Sequence, residues 1–304
     1  MRHSLTALFA LVVTDLGCAF VSPRPIAEIS RMKLAYRCLS HFFPADPLSK
    51  KLAGAHYIKQ MELGIAHLQQ TTNAVNAQNT REKPAVRHFW FCKRMSSLIA
   101  QHNFKQVVFL GTGFDATAYH LPCLQHTNVF EVDIPELIQA KALAIAQAVD
   151  VYTRPIANRI ARCGIDLSME DALPALMARG FDHEEPTLWI AEECIYHLDF
   201  VAAHKALRLA ICTPNSVILF DMISNDRPGT YKHCMNDPLT ELELLGFDNV
   251  HVDQLGDDNA NFGALDTDNG MWAYKYNMQI DCVKGKQLQR NFLIEASKKS
   301  MTWK

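Results

Sequence analysis

The sequence predicts an α/β fold, a doubly wound parallel sheet with helices on both faces, preceded by a helical segment. Two observations carry this prediction. From Gln106 onward, short apolar runs alternate with segments that have apolar residues at helical spacing, which is typical of a parallel sheet with crossover helices. The first apolar run also enters a glycine turn at Gly111 and Gly113, a feature of ligand loops in such sheets.

The N-terminal third is predicted to be helical. Apolar residues recur at helical spacing in residues 26–43, 51–68 and 89–99, which indicates three amphipathic helices. Residues 69–83 are rich in Asn, Gln and Thr, and we expect them to form a mobile loop. We therefore divide the chain into a helical N-terminal segment and lid, residues 1–104, and a ligand-binding core, residues 105–304.

Within the core, the alternation predicts each element in turn. After the first strand at Gln106, it predicts helices over 136–149, 169–179, 200–211 and 239–245, and strands over 159–165, 188–191, 217–221, 250–255 and 291–296. A further strand is predicted between the first strand and the first of these helices. There a second apolar run stops at Asp133.

The extreme N-terminus contains an apolar run, residues 5–13, that imitates the hydrophobic core of a signal peptide. The run is far shorter than a membrane span, and Asp15 stands where a signal peptide would have a small or apolar residue. We expect residues 1–22 to be a buried helix or a mobile arm of a cytoplasmic protein, with a signal-like segment as the alternative.

Composition restricts the function classes. The chain is 49% hydrophobic and 20% charged, with a formal net charge of −2, so no basic field favours nucleic acid and no segment favours a membrane. The nine cysteines are scattered and lack the close Cys and His spacing of zinc sites. We therefore expect reduced thiols in an intracellular protein and no metal.

The glycine turn and Asp133 together indicate a nucleotide-type ligand. Glycines let the backbone approach the ligand, and an acid at the end of the next strand holds ribose hydroxyls. Glu131, two residues earlier, is the rival carboxylate, but within a strand it is more easily paired inside the sheet. Ala116 replaces the third glycine of the dinucleotide fingerprint, so the loop fits S-adenosylmethionine better than NAD.

Several segments in the same order resemble the leucine carboxyl methyltransferase family, S-adenosylmethionine-dependent O-methyltransferases that include carboxyl methyltransferases of polyketides. The resemblance runs from about residue 31 to about 298, and its main segments are V-V-F-L-G-T-G-F-D (107–115), F-E-V-D-I-P (130–135) and P-T-L-W-I-A-E-E-C-I-Y-H-L (186–198). It implies a seven-stranded, Rossmann-like class I methyltransferase sheet with an antiparallel last strand and a helical N-terminal lid.

The resemblance also implies roles in holding S-adenosylmethionine. Asp166 would accept from the adenine amino group and Leu167 would pack near the ring. Arg87 would pair with the methionine carboxylate, for which Lys33 of the lid is a second candidate. Asp115 either accepts from the methionine ammonium or caps the following helix.

The strand-four glutamate of the family, which helps to hold the methionine end, aligns with Glu192. A register slip of one residue would transfer this role to Glu193, where the family has glycine or a small residue. His197 falls where the family usually has tyrosine. Together with Asp221 and Asn225, it lies at or just after strand carboxyl ends, where open α/β sheets bind ligands. His197 is the candidate catalytic residue, as a base only if the acceptor is a hydroxyl.

These observations lead to the hypothesis of a methyltransferase that acts on a small-molecule acceptor, most simply a carboxylic acid. A hydroxyl compound and a protein C-terminus are alternative acceptors. Substitutions in the family's motifs, among them Phe89 and His120 in place of arginines, concern the acceptor rather than the cofactor. A non-catalytic scaffold with the same fold and an NAD-dependent oxidoreductase on a similar sheet are the alternative functions.

Overall fold

The computed structural model describes residues 25–148, 154–224, 231–267 and 290–298, and the backbone of residues 282–283 and 286–287. The expectations for residues 1–22 and for Asn225 concern positions outside these ranges. Among the described residues, no helix has both the length and the apolar character needed to span a bilayer.

In the described part of the chain, four helices precede the sheet: α1 (Ile26–Arg37), α2 (Pro47–Ala53), α3 (Ala55–Thr71) and α4 (Ala74–His102). The prediction of a mobile loop over residues 69–83 was wrong, because only two residues separate α3 from α4. The Asn73 side chain accepts a hydrogen bond from the backbone N–H of Asn76 at 2.7 Å, so an asparagine that suggested a loop instead caps a helix. The first turns of α4 then bury one face against the rest of the protein.

Seven strands form the main sheet, in the order β3-β2-β1-β4-β5-β7-β6. They are β1 (Gln106–Leu110), β2 (Asn128–Asp133), β3 (Arg159–Gly164), β4 (Thr187–Ala191), β5 (Val217–Ile223), β6 (Asn249–Gln254) and β7 (Asn291–Ser297). β1 to β5 are parallel, whereas β7 is antiparallel to both β5 and β6. The predicted seven-stranded sheet with an antiparallel last strand is confirmed.

The α-helices of the core within the described ranges are α5 (Thr117–His120), α6 (Pro135–Gln147), α7 (Ala172–Met177), α8 (Phe200–Cys212) and α9 (Pro238–Leu245). α7 begins later than predicted because Asp171 caps it, with its side chain accepting from the N–H of Leu173. The chain leaves β1 toward β2 on one side and places β4 on the other, so a crevice opens above the carboxyl ends of these strands.

Two hydrophobic cores cover the two faces of the sheet. On one face, the N-terminal helices contribute Met32, Leu52 and Phe91 to a cluster that includes Val107 of β1 and side chains of α6. On the other face, α7, α8 and α9 pack against a cluster that includes Trp189. Every residue of β1, β4 and β5 is buried, as expected for strands covered on both faces. The N-terminal helices therefore share a core with the sheet.

Candidate functional site

A cavity of about 580 Å³ lies above the carboxyl ends of the parallel strands, with α1 and α4 as its opposite wall. The structure brings all ten site residues proposed from the sequence to this cavity. They are Lys33, Arg87, Gly111, Gly113, Asp115, Asp133, Asp166, Leu167, Glu192 and His197. Residues that are as far apart as α1 and the loop after β4 thus face one another across a single space.

The glycine turn after β1 needs both of its glycines. Gly111 and Gly113 have φ angles of +67° and +50°, in the left-handed region that glycine adopts without strain. A Cβ on Gly111 would lie 2.7 Å from the Cys194 sulfur, and one on Gly113 would lie 2.5 Å from the Ser30 hydroxyl. The loop is therefore closely covered by the segment after β4 and by α1.

Asp133 closes β2 directly beneath this loop. Its carboxylate accepts hydrogen bonds from the backbone N–H of Gly113 at 2.7 Å and from that of Ile134 at 2.8 Å. Burial raises the pKa of the Asp133 carboxyl, while these two bonds act in the opposite direction. A carboxylate offers about four lone-pair positions, so Asp133 retains acceptor capacity for a ligand with two neighbouring hydroxyls.

Glu131 forms ion pairs with basic side chains inside the protein. Its side chain is buried, and its two oxygens lie 2.8 Å from the Lys141 ammonium and 3.0 Å from Nε of Arg162. Glu131 does not line the cavity. Of these two carboxylates of β2, only Asp133 faces the cavity.

Asp115 makes the cap-type interaction that the sequence suggested as one alternative, since its Oδ1 accepts from the N–H of Thr117 at 2.8 Å. Its Oδ2 lies 2.8 Å from Nη2 of Arg37. Burial alone would raise the pKa of Asp115, but the positive charges of Arg37 and His88 hold it well below the usual range. Asp115 is therefore a carboxylate at neutral pH, beside the guanidinium of Arg37.

Arg37 and His88 line the cavity and were missed in the sequence. Nδ1 of His88 lies 2.8 Å from both Nη1 of Arg37 and Oε2 of Glu192. Burial and the charge of Arg37 would lower the pKa of His88, but the neighbouring Cys92 and Glu192 side chains raise it to about 10. One signal was available for Arg37: it follows Lys33 by one helical turn, so both side chains share the cavity-facing side of α1.

Arg87 is 4% exposed and is surrounded by acids. Its guanidinium lies 2.7 Å from Glu193, 3.4 Å from Glu192 and 3.7 Å from Asp221. Burial raises the pKa of Asp221 to about 7, although Arg87 opposes this. The guanidinium thus already has carboxylate partners, and its bond to a methionine carboxylate stays a prediction.

Both glutamates after β4 line the cavity and contact Arg87. Glu193 has a φ of +54°, which is unusual for a residue with a side chain and costs free energy. Its backbone N–H donates to Oδ1 of Asp221 at 2.7 Å, which holds this conformation. The backbone thus explains why glycine suits this position and marks Glu193 as a strained residue at the site.

This conformation gives a prediction about stability. We expect Glu193→Gly to unfold at a higher temperature than Glu193→Ala, because alanine pays about 1 kcal/mol in the left-handed region and glycine does not. Both variants lose the ion pair with Arg87, so the comparison isolates the backbone. The same pair of substitutions at Glu62, inside the regular helix α3, should give the opposite order. An equal melting temperature for the two Glu193 variants would contradict the prediction.

His197 faces α1 across the cavity. The Lys33 ammonium lies 2.9 Å from Nε2 of His197, and Lys33 belongs to α1. An ammonium has donors only, so Nε2 of His197 is the acceptor in this contact. The Tyr196 ring packs against the imidazole, with centroids 4.6 Å apart. His197 and Lys33, which were proposed separately from the sequence, therefore form one contact.

Asp166 and Leu167 follow β3 at the far end of the cavity. Hydrogen bonds from the backbone N–H and the hydroxyl of Ser168 lower the pKa of Asp166. Asp166 is therefore an ionised acceptor beside the partly buried Leu167 side chain. Within the described ranges, no cluster of three or more His, Cys, Asp and Glu side chains is arranged to hold a metal ion.

Known proteins are similar to this chain in sequence and in fold. Curated relatives named "Putative S-adenosyl-L-methionine-dependent methyltransferase" include one from Mycobacterium marinum, 34% identical over 157 residues, or 50% of this chain and 46% of the relative. Another, from Mycobacterium ulcerans, is 31% identical over 184 residues, or 59% of this chain and 58% of the relative. The chain thus spans about half the length of these relatives.

Solved structures with a similar fold include the following two. A crystal structure described as a "putative methyltransferase" from Thermobifida fusca has a TM-score of 0.50 at 13% identity, covering 92% of this chain and 100% of the other. A DUF574 family protein from Streptomyces avermitilis has a TM-score of 0.54 at 14% identity, covering 89% and 97%. At these identities the likeness concerns the fold alone.

The sequence profile of leucine carboxyl methyltransferases matches residues 35–210, which is more than half of the 304 residues. The matched range extends from within α1 to within α8 and includes the glycine turn, Asp133, Asp166 and Glu192. Of the ten site residues proposed from the sequence, only Lys33 precedes it. The chain belongs to the leucine carboxyl methyltransferase family.

Proposed function

We propose that this protein is an S-adenosylmethionine-dependent O-methyltransferase that methylates a carboxylate of a small molecule. The observation that carries the proposal is the single cavity into which the glycine turn, Asp133 and the charged residues of α1 and α4 all face. Family membership and the names of the curated relatives support the same cofactor.

The residues of the cavity fit this cofactor. The glycine turn leaves no room for a Cβ, Asp133 can accept from the ribose hydroxyls, and Asp166 with Leu167 can hold the adenine. The paired charges of Arg37 and Asp115, 2.8 Å apart, complement the carboxylate and ammonium of a methionine moiety. When bound, S-adenosylmethionine supplies a methyl group that is already activated on a sulfonium.

The chain's own contribution is to align the acceptor and to exclude water. α1 covers the glycine turn: the backbone N–H of Phe114 donates to the Ser30 hydroxyl at 3.2 Å, and the Arg31 guanidinium lies 4.1 Å from the centroid of the Phe114 ring. A carboxylate acceptor is ionised at neutral pH and needs no base. Lys33 beside His197 adds positive charge to the cavity, which suits such an acceptor.

The state of the cysteines supports a proposal about the cellular compartment. Six cysteines among the described side chains, Cys38, Cys92, Cys123, Cys163, Cys194 and Cys212, are free thiols, which accords with a reducing compartment. We place the reaction in the cytoplasm, with a small carboxylic acid as the partner and with no role for nucleic acid or a membrane.

The acceptor proposal is tested by the pH profile and by the product. With a radiolabelled methyl donor and a panel of small carboxylic acids, we expect a turnover that stays flat between about pH 6 and 9, because the acceptor is ionised throughout. His197→Phe should raise the KM for the acceptor more than it lowers kcat. The product should release methanol in mild base, as a methyl ester does.

A different acceptor would give a different set of results. If a hydroxyl is methylated, the product is a base-stable methyl ether, and loss of a histidine base should lower kcat by about 10²–10⁴. That result would overturn the carboxylate acceptor but keep the cofactor. Binding of NADH in place of S-adenosylhomocysteine in a calorimetric titration would overturn the cofactor itself.

A further inference from the structure

A buried lysine supports the glycine turn from below. Lys141 of α6 is completely buried, and its ammonium donates to the Thr112 hydroxyl at 3.0 Å and to Oε1 of Glu131 at 2.8 Å. Thr112 stands between the two glycines of the turn. A buried ammonium is costly unless it is paired and hydrogen-bonded, so this cation is held where its partners are satisfied.

The same glutamate ties down the chain on the other side of the turn. Oε2 of Glu131 accepts from Nε of Arg162 at 3.0 Å, and the Arg162 guanidinium also contacts the Tyr119 hydroxyl on α5. Glu131 thus connects to the turn through Lys141 and to the helix after the turn through Arg162. Of Lys141 and Arg162, the two cations that pair with Glu131, only Lys141 also contacts the turn, at Thr112.

Lys141 also lies close to the carboxylates of the cavity. Its positive charge lowers the pKa of both Asp133 and Asp115. The other groups that act on Asp133 are the backbone N–H groups of Gly113 and Ile134 and the Lys33 ammonium of α1. The buried Cys194 thiol also lies within electrostatic reach of Asp133.

We propose that Lys141 is a positioning residue of the cofactor site, which fixes Thr112 and so the glycine turn, and which supplies the positive charge beneath Asp133 and Asp115. This inference rests on the proposed function, since the turn and Asp133 are assigned there to S-adenosylmethionine. Lys141 does not itself line the cavity. It therefore acts through the turn and through the electrostatic potential at Asp133.

The first test needs no ligand. Hydrogen–deuterium exchange is measured on the peptide that spans β1 and the turn in wild type, Lys141→Met and Arg162→Met. Each variant removes one of the two cations that pair with Glu131. We expect faster exchange at Thr112 and Gly113 in Lys141→Met only, because its substitution releases the turn. Equal exchange in the two variants, or none above wild type, would overturn the positioning role.

The second test measures binding of S-adenosylhomocysteine by calorimetry between pH 8 and pH 6. Asp133 must be ionised to accept from the ribose, and loss of Lys141 raises its pKa further. Because loss of Lys141 raises the pKa of the Asp133 carboxyl, we expect binding to Lys141→Met to weaken more, as the pH falls, than binding to wild type or to Arg162→Met. The dissociation constants of wild type and of Arg162→Met should change by no more than about twofold over the same pH range. The same pH profile in all three proteins would overturn the electrostatic role.

The double variant Lys141→Met/Glu131→Gln is a second way to test the proposal if Lys141→Met alone does not fold. It also replaces the buried Glu131 carboxylate, which Lys141→Met leaves without one of its two hydrogen-bond donors, by a neutral amide. The proposal predicts the same fast exchange and the same pH-dependent binding in this variant. Failure of the wild-type protein to bind S-adenosylhomocysteine would overturn the proposed function, whereas the exchange experiment would still decide whether Lys141 positions the turn.

Discussion

Replacement of Asp133 by alanine is expected to weaken the binding of S-adenosylhomocysteine by at least about tenfold. The carboxylate would lose two charge-assisted hydrogen bonds to the ribose, each of about 1.5–3 kcal/mol, and about 1.4 kcal/mol corresponds to a factor of ten. The variant also removes the acceptor of the Gly113 and Ile134 N–H groups, so the glycine turn loses an anchor. Calorimetric titration measures the dissociation constant directly.

Asp199→Ala is a matched control for this experiment. Asp199 also accepts from a backbone N–H, that of Ala202 at 2.9 Å, at the start of α8, but it does not line the cavity. We expect this variant to lower the melting temperature and to leave the dissociation constant unchanged. A folded Asp133→Ala protein that binds the ligand like wild type would remove Asp133 from the cofactor site.

The second large effect concerns the two arginines of the cavity. We expect Arg37→Gln to weaken the binding of S-adenosylhomocysteine by about tenfold or more, because a guanidinium that pairs with a carboxylate contributes a charge-assisted bond of about 1.5–3 kcal/mol. 5′-Methylthioadenosine lacks the amino-acid portion, so its affinity should change little. Titrations of both ligands separate the methionine end from the rest of the site.

Arg87→Gln is the comparison variant, since Arg87 was assigned to the methionine carboxylate from the sequence. In the structure this guanidinium faces Glu193, Glu192 and Asp221. If those acids occupy it fully, Arg87→Gln lowers the affinity for both ligands to the same extent and lowers stability, because it leaves buried carboxylates without a cation. A selective loss for S-adenosylhomocysteine in Arg87→Gln, with none in Arg37→Gln, would restore the original assignment.

The sheet and most of the cavity could be predicted because they depend on local patterns. Fully buried strands such as β1 and β4 appear in the sequence as continuous apolar runs, and a glycine pair between a strand and a helix indicates a ligand loop. The acid at the end of β2 follows from the same pattern. Glu131 and Asp133 were both candidates for the ligand-facing carboxylate of β2. The expectation that Glu131 is paired inside the protein agrees with its contacts to Lys141 and Arg162.

The partners of these residues could not be predicted, because they come from distant parts of the chain. Nothing near Asp115 in the sequence indicates that Arg37 pairs with it, and nothing near Arg87 indicates that the segment after β4 and strand β5 supply its acids. The loop expected over residues 69–83 failed for a related reason. Composition suggested disorder, but the capping bond of Asn73 and burial against the rest of the protein favour the helix. Tertiary contacts overrode local preference in each case.

The position of β7 has a consequence for how the protein is made. β7 is the last of the seven strands to leave the ribosome, yet it lies between β5 and β6 and pairs with both. Its Leu293 and Phe292 side chains enter the cores on opposite faces. Until it arrives, the nascent chain carries two unpaired strand edges and two incomplete cores, features that make folding slow and favour aggregation. We therefore expect the newly made protein to depend on chaperones until synthesis has passed residue 297.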